Sequence, residues 1–204
     1  GGGVSAGPFH SQSNEAWFFH TPGLKIVYPS SASDAKGLLN AAIEDPNPYL
    51  FFEHKALYRS QKENIYDDYY TTEVGKAKIV CNGDDLTIIT YGMGVHWAKE
   101  ALNKISNHSV EVVDLRTLQP WDKETVKKSV CKTNKVFIIH EDCISGGIGA
   151  EISAWINENL FEFLDAPVTR EGGLDTPVPF RKELEDNFMP ISRIGDKIRK
   201  LLNY

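Results

Sequence analysis

Short apolar runs alternate with stretches of helical period along most of the chain. Leu86–Tyr91 is apolar and β-branched, the composition of a strand covered on both faces. Gly92-Met93-Gly94 breaks it, and Val95, Ala98, Leu102 and Ile105 then recur at helical spacing. Val110–Leu115 and Lys135–His140 read as further strands, followed by amphipathic helices over Lys123–Cys131 and Gly147–Leu164. Strands at Ala77–Cys81 and Val168–Glu171 and a helix over Ser192–Leu202 complete this half. The repeated strand–helix order predicts an α/β domain, a parallel sheet between two layers of helices.

The first sixty residues repeat the rhythm on a smaller scale. A short helix over Glu15–Phe19, capped by Ser13 or Asn14, stops at His20-Thr21-Pro22-Gly23. Leu24–Tyr28 reads as a strand and Tyr49–Glu53 as the next one. Between them lies a helix over Asp34–Glu44, capped by Ser33, with Ala35, Leu38, Leu39, Ala42 and Ile43 on one face. Periodicity then disappears, and Tyr58–Lys78 reads as a linker pinned to a surface by Tyr66, Tyr69 and Tyr70. Gly1–Ser13 reads as a glycine-rich loop from inside a larger domain, and it is expected to be poorly tethered.

Composition narrows the classes of function. A chain of 204 residues with 41% hydrophobic and 25% charged residues is that of an ordinary globular protein. Its net charge of −6, with 22 scattered Lys and Arg, leaves no basic footprint for nucleic acid. No apolar run is long enough to span a bilayer. Cys81, Cys131 and Cys143 lack C-x-x-C spacing, which predicts reduced, buried thiols rather than a disulfide framework or a zinc site.

Four groups of residues suggest chemistry. Gly92-x-Gly94, with Asp114 closing the next strand, imitates a dinucleotide fingerprint, although Trp97 stands where the third glycine belongs. A stand-alone nucleotide-binding module is therefore an alternative. Ser145-Gly146-Gly147-Ile148-Gly149 offers backbone amides at a helix start but lacks the Lys and Ser/Thr of a phosphate loop, so a tight turn is the simpler reading. His140-Glu141-Asp142 falls just past a predicted strand, where open α/β sheets hold ligands, and a structural histidine is the simpler reading there. His10 is the favoured proton-transfer residue, because Ser11, Gln12 and Ser13 orient it in a polar loop and Phe9 and Trp17 desolvate it. G-x-S-x-G, H-E-x-x-H and the G-D-G signature that anchors thiamine diphosphate are absent.

Three stretches together resemble a known family. HSQSNEAWFFHTPGLKIVYPSSASDAKGLLNAAIEDPNPYLFFEHKALYR (His10–Arg59), VVDLRTLQPWD (Val112–Asp122) and HEDCISGGIGAEI (His140–Ile152) resemble the β component of 2-oxo acid dehydrogenase E1 enzymes. FFEHKALYR and the final Asn203-Tyr204 are closer to the branched-chain, 2-oxoisovalerate type than to the pyruvate or acetoin type.

The resemblance implies a thiamine-diphosphate enzyme of transketolase-like architecture. Residues 1–58 would be the last part of a pyrimidine-binding domain, 59–79 a linker, and 80–204 a transketolase-type C-terminal domain. The acidic residue that holds the aminopyrimidine would lie upstream of the HSQ stretch, and the diphosphate and its magnesium on the E1 α component. The chain alone is then expected to be inactive, with no cofactor-binding residue of its own. Only His10 matches a position beside the reaction centre, where it would stabilise or protonate the thiamine-bound intermediate and assist acyl transfer to a lipoyl group, with Ser11 and Gln12 holding the loop. Ala42, Asp45 and Asn47 match a turn that helps bind a structural potassium ion. Gly92 and Gly94 match a family turn that holds no cofactor. The implied partners are the E1 α component, a lipoyl-bearing E2 acyltransferase and a second copy docked through the C-terminal domain. Trp121, Trp155, Phe161 and Phe163 are candidates for a buried or interfacial surface. The implied compartment is the cytoplasm of a bacterium or the mitochondrial matrix of a eukaryote.

Overall fold

The computed structural model describes residues 1–204. The first part contains α1 (Gly7–Ser11), α2 (Glu15–Phe19), β1 (Lys25–Val27), α3 (Ala32–Glu44), β2 (Tyr49–Phe51) and α4 (Leu57–Ser60). The second begins with β3 (Lys78–Cys81), β4 (Leu86–Thr90), α5 (Met93–Leu102), β5 (Val110–Asp114), β6 (Thr117–Gln119) and α6 (Lys123–Thr133). It continues with β7 (Val136–Cys143), α7 (Ile148–Leu160), a 3₁₀ turn at Phe161–Phe163, β8 (Thr169–Gly173), α8 (Lys182–Phe188) and α9 (Ile191–Leu202).

The large sheet has the strand order β3-β5-β4-β7-β8. β4 and β5 are buried at every residue, because alternate side chains enter two separate cores. Ile89, Val113 and Ile138 pack with Val126 and Val130 of α6 and with Ile152 and Ile156 of α7. Ile88, Val112 and Phe137 pack on the other face with Trp97 and Ala98 of α5 and Ile194 and Ile198 of α9. This is the expected sheet between two helical layers, and the parallel pairs β4–β5, β4–β7 and β7–β8 form as predicted.

The sheet is nevertheless mixed. β3 runs antiparallel to β5, in the register Lys78↔Asp114 and Ile79↔Val113. The four residues 82–85 between β3 and β4 are far too few for the crossover that would keep the strands parallel. β3 therefore turns back and takes the free edge of β5.

The small sheet has the order β2-β1-β6, and its third strand comes from the second half of the chain. β1 pairs in parallel with β2 and antiparallel with β6, with Ile26 opposite Gln119 and Val27 opposite Thr117. Arg116, at φ +56°, turns the chain out of β5 and into β6. Ile26 and Tyr28 belong to the same core as Ile89, Leu118 and Trp121, so the two halves share one interior.

Other differences from the predicted elements are local. Ser31 rather than Ser33 caps α3, its hydroxyl accepting from the Asp34 amide. The expected apolar face of α3 is split, with Leu38 buried but Leu39 and Ile43 exposed. α8 has no sequence counterpart above, and α7 gives way to the 3₁₀ turn after Leu160. β7 runs on to Cys143, so His140, Glu141 and Asp142 lie inside a strand rather than beyond one. No helix is long and apolar enough to cross a membrane.

Candidate active site

His10 sits in the last turn of α1, a one-turn helix, instead of the expected loop. It is exposed, with its ring edge-on to that of Phe9 at 4.8 Å. Phe9 and Trp17 are themselves exposed, so the expected desolvation of His10 is not found. The reason is geometric: a one-turn helix on the surface buries one side, here Ser11, and turns the other outward. Gln12 is exposed, and the buried Ser11 hydroxyl has no hydrogen-bond partner.

The segment around His10 is tethered, contrary to the expectation of a loose glycine-rich loop. Two buried carboxylates from the second half of the chain hold it. Glu141 of β7 accepts from the Gly2 amide at 2.5 Å and the Ser13 hydroxyl at 3.2 Å. Its other oxygen lies 2.7 Å from Nε2 of His54. The Ala56 amide donates to His54 Nδ1 at 3.3 Å, which leaves Nε2 as the nitrogen that donates to Glu141. Glu185 of α8 accepts from the amides of Gly3 at 3.0 Å and Ser5 at 2.8 Å. Burial raises the Glu141 carboxyl, but the hydrogen bonds from His54 and Gly2, with other lowering influences, together outweigh it and hold the group below its ordinary range.

Beneath α2 lies a second acidic group. Glu15 is fully buried and accepts from the Tyr91 hydroxyl at 2.8 Å, while its Oε2 has no partner. Burial, reinforced by Asp142, pushes its carboxyl up to about 8, so it is a neutral acid at pH 7. Burial also raises Asp142, which accepts from the backbone amide of Cys143 at 2.8 Å. Asn14 stands at the N-cap of α2, as predicted, but its side chain makes no capping hydrogen bond.

His140 is structural. Its Nδ1 donates to the Asp142 carbonyl at 3.0 Å, and burial pushes its pKa down to about 4. A methyl group on Gly147, Gly149 or Gly172 would lie 2.5, 2.8 or 2.8 Å from atoms of this ring. The glycines of Ser145–Gly149 thus make room for an imidazole as well as turning the chain.

Asp114 is completely buried and accepts from the Ser30 hydroxyl at 2.5 Å and the Arg116 amide at 3.0 Å, with burial pushing it up to about 6. Gly92 has φ +52°, and a side chain there would run into the Tyr28 ring at 2.8 Å. Both positions are consumed by packing between the two halves, which overturns the nucleotide-binding alternative built on Gly92, Gly94 and Asp114.

Ala42 lies in the last turn of α3, and Asp45 and Asn47 in the turn that follows. The Asp45 carboxylate accepts from Lys25 Nζ, the Tyr49 hydroxyl at 2.8 Å and the Asn47 amide at 2.9 Å. It is committed to an ammonium group. Trp121 and Trp155 meet edge-to-face at 5.1 Å beside the core, with Lys123 over both rings, whereas Phe161 and Phe163 are exposed.

A cavity of about 620 Å³ beside α1 is lined by Gln12, Ser13, Glu141, Asp142 and Asp175 among others. A smaller one, about 310 Å³, borders Ser30, Ser31, Glu53 and His54. Neither is lined by Lys or Arg, and both carry carboxylates, so these residues do not fit a diphosphate.

Comparison with known proteins gives a consistent picture. Residues 75–193 match the family "Transketolase, C-terminal domain" and residues 1–61 match "Transketolase, pyrimidine binding domain". The 2-oxoisovalerate dehydrogenase subunit beta 2, mitochondrial, of Arabidopsis thaliana is 45% identical over 97% of this chain and 56% of its own length. The subunit beta from Bacillus subtilis is 47% identical over 93% of this chain and 59% of its own. The pyruvate dehydrogenase E1 component subunit beta of Porphyra purpurea is 44% identical over 100% of this chain and 62% of its own. The chain thus spans little more than half the length of the curated relatives it matches. A solved split-gene transketolase, an inactive β4 tetramer, superposes with a TM-score of 0.76 at 22% identity, over 95% of this chain and 62% of its own. That likeness shows the fold.

Proposed function

Because the chain belongs to the transketolase family, with a pyrimidine-binding segment leading into a transketolase C-terminal domain, we propose that it is part of the β component of a branched-chain 2-oxo acid dehydrogenase. The observation that carries this reading is the order of identities. The 2-oxoisovalerate dehydrogenase β subunits are 45, 47 and 49% identical to it, the pyruvate dehydrogenase β subunits 40 to 44%. In this reading residues 1–58 close the pyrimidine-binding domain, 59–79 cross between domains, and 80–204 form the C-terminal domain.

The complete enzyme would carry out oxidative decarboxylation of a branched-chain 2-oxo acid and pass the acyl group to the lipoyl group of an E2 acyltransferase. Thiamine diphosphate supplies the carbon–carbon chemistry of such an enzyme. In this reading the diphosphate and its magnesium are held by residues outside this chain, on an E1 α component, which agrees with the acidic lining of the two cavities beside the first half. This chain contributes an exposed His10 at the end of a tethered helix, able to give or take a proton during acyl transfer. A potassium ion near Ala42, Asp45 and Asn47 would have to use backbone oxygens and the Asn47 side chain, since the Asp45 carboxylate is committed to Lys25. Association through the C-terminal domain, and a bacterial cytoplasm or mitochondrial matrix as compartment, complete the proposal.

The test is the specificity of the complete α and β enzyme. Its kcat/KM for 2-oxoisovalerate should exceed that for pyruvate by about 10-fold or more, the discrimination that extra methyl groups in an apolar pocket supply. His10→Ala should lower acyl transfer by about 10²–10⁴-fold. A preference for pyruvate would overturn the substrate class, and unchanged acyl transfer in His10→Ala the role of His10.

A further inference from the structure

We propose that Glu141 is a positioning residue for His10, acting from the C-terminal domain with Glu185 as a second anchor. The inference rests on the reading of His10 as a proton-transfer residue, and it adds the means by which that residue is held in place.

The geometry is specific. Gly2 precedes α1 and Ser13 follows it, and both donate to the same oxygen, Oε1 of Glu141. Glu185 takes the amides of Gly3 and Ser5. The helix bearing His10 is therefore clamped before its start and after its end, by side chains 128 to 182 residues away in sequence.

α1 is a single turn without a side-chain cap at its start, and so short a helix is not stable on its own. Its place must come from tertiary contacts, and the hydrogen-bonded ones converge on these two carboxylates. Both are almost fully buried, so neither is free to follow solvent. His54 holds Glu141 from the far side, which keeps the carboxylate charged and its Oε1 directed at Gly2 and Ser13. A carboxylate suits this role because it only accepts, and every group that meets it here is a donor.

The experiment uses the complete enzyme with its α component and the variants Glu141→Ala, Glu141→Gln and His10→Ala. Two quantities are measured: amide exchange over residues 2–13, and kcat and KM for acyl transfer. Glu141→Ala should accelerate exchange and lower kcat by about 10- to 100-fold, the cost of an ångström-scale misplacement, while KM for the 2-oxo acid stays within about threefold. Glu141→Gln keeps an acceptor oxygen for Gly2 and Ser13 but turns its NH2 towards the His54 Nε2–H, so it should recover part of the loss and not all of it. In the His10→Ala background Glu141→Ala should cost no further activity, because residues acting as one unit are not additive.

Equal losses from Glu141→Ala with and without His10 would overturn the proposal, as would unchanged exchange over residues 2–13. If His10→Ala has no effect while exchange still responds to Glu141→Ala, the reading of His10 fails and the anchor remains. Should Glu141→Ala not fold, Glu185→Ala carries the same test, since it strips the Gly3 and Ser5 tethers without stranding a buried histidine.

Discussion

The two sheets are built from similar aliphatic runs, yet they reach burial by different routes. In the five-stranded sheet, β4 and β5 bury every residue between helices on both faces. In the three-stranded sheet β2 is only half-buried at each position, and the neighbouring helix leaves Leu39 and Ile43 in solvent. Ile26 and Val27 of β1 are fully buried, with β6 as a borrowed strand beside them. Tyr28, Phe19 and Phe52 add apolar contacts to the shared core, and polar, long-range bonds fasten the first half further: Glu141 and Glu185 on Gly2, Gly3 and Ser5, Arg116 on Asp34 at 2.8 Å, and Asp114 on Ser30. A strand pattern in sequence thus promises an autonomous core only where both faces receive partners.

Substitutions can break this contrast, beginning with the largest effect. Ile138→Ala, at the centre of β7, should cost about 2–5 kcal/mol through lost burial and a residual cavity. Leu50→Ala, in the half-buried β2, should cost about 1 kcal/mol. Urea unfolding of the two variants measures both. Equal losses would show that the small sheet carries as much of the core as the large one.

Gly149→Ala should follow, at about 1–3 kcal/mol, because the new methyl group meets the buried His140 ring. Adding His140→Ala should cost less than the sum of the two single changes, since the clash disappears with the ring. Additive losses in thermal unfolding would mean that the glycine is needed for its backbone alone.

Glu15 gives the seam between the halves a pH dependence. Its folded pKa of about 8 lies above the unfolded value near 4.5, so the folded state keeps a proton that the unfolded state releases. The stability this lends is complete below about pH 4.5 and is lost as pH rises towards 8. Between pH 6 and pH 7 wild type should lose about 1 kcal/mol more than Glu15→Gln. Parallel stability–pH curves would refute the buried neutral acid. The smallest effect belongs to Ile43→Ala, whose side chain is exposed, and the free energy of urea unfolding should change by less than about 0.5 kcal/mol.

Much of the architecture was legible in the sequence. β-Branched runs and helical periods located the strands and helices of the large sheet, because those patterns reflect local geometry and burial on known faces. The glycines after β7 announced a turn, and His10, Ser11 and Gln12 announced a family. α8 went unseen because KELEDNF is mostly charged, and its two apolar residues, Leu184 and Phe188, are too few to mark a helix. The antiparallel edge at β3 followed from a loop length whose consequence depends on which strand has a free side.

The candidate site was less legible. His10 could be singled out by its neighbours in the chain, but its exposure could not, since that depends on which side of a one-turn helix meets the protein. His140 is buried among glycines, as the structural reading of it expects, and Asp114 is buried against Ser30. Glu141, Glu185 and His54, which look ordinary in sequence, hold the N-terminal segment in place. Local pattern therefore determined the elements and the family of this protein. Only the tertiary structure decided which polar groups are buried, which are paired and which face solvent. Those outcomes depend on contacts between residues 76 to 182 positions apart, and no spacing along the chain encodes them.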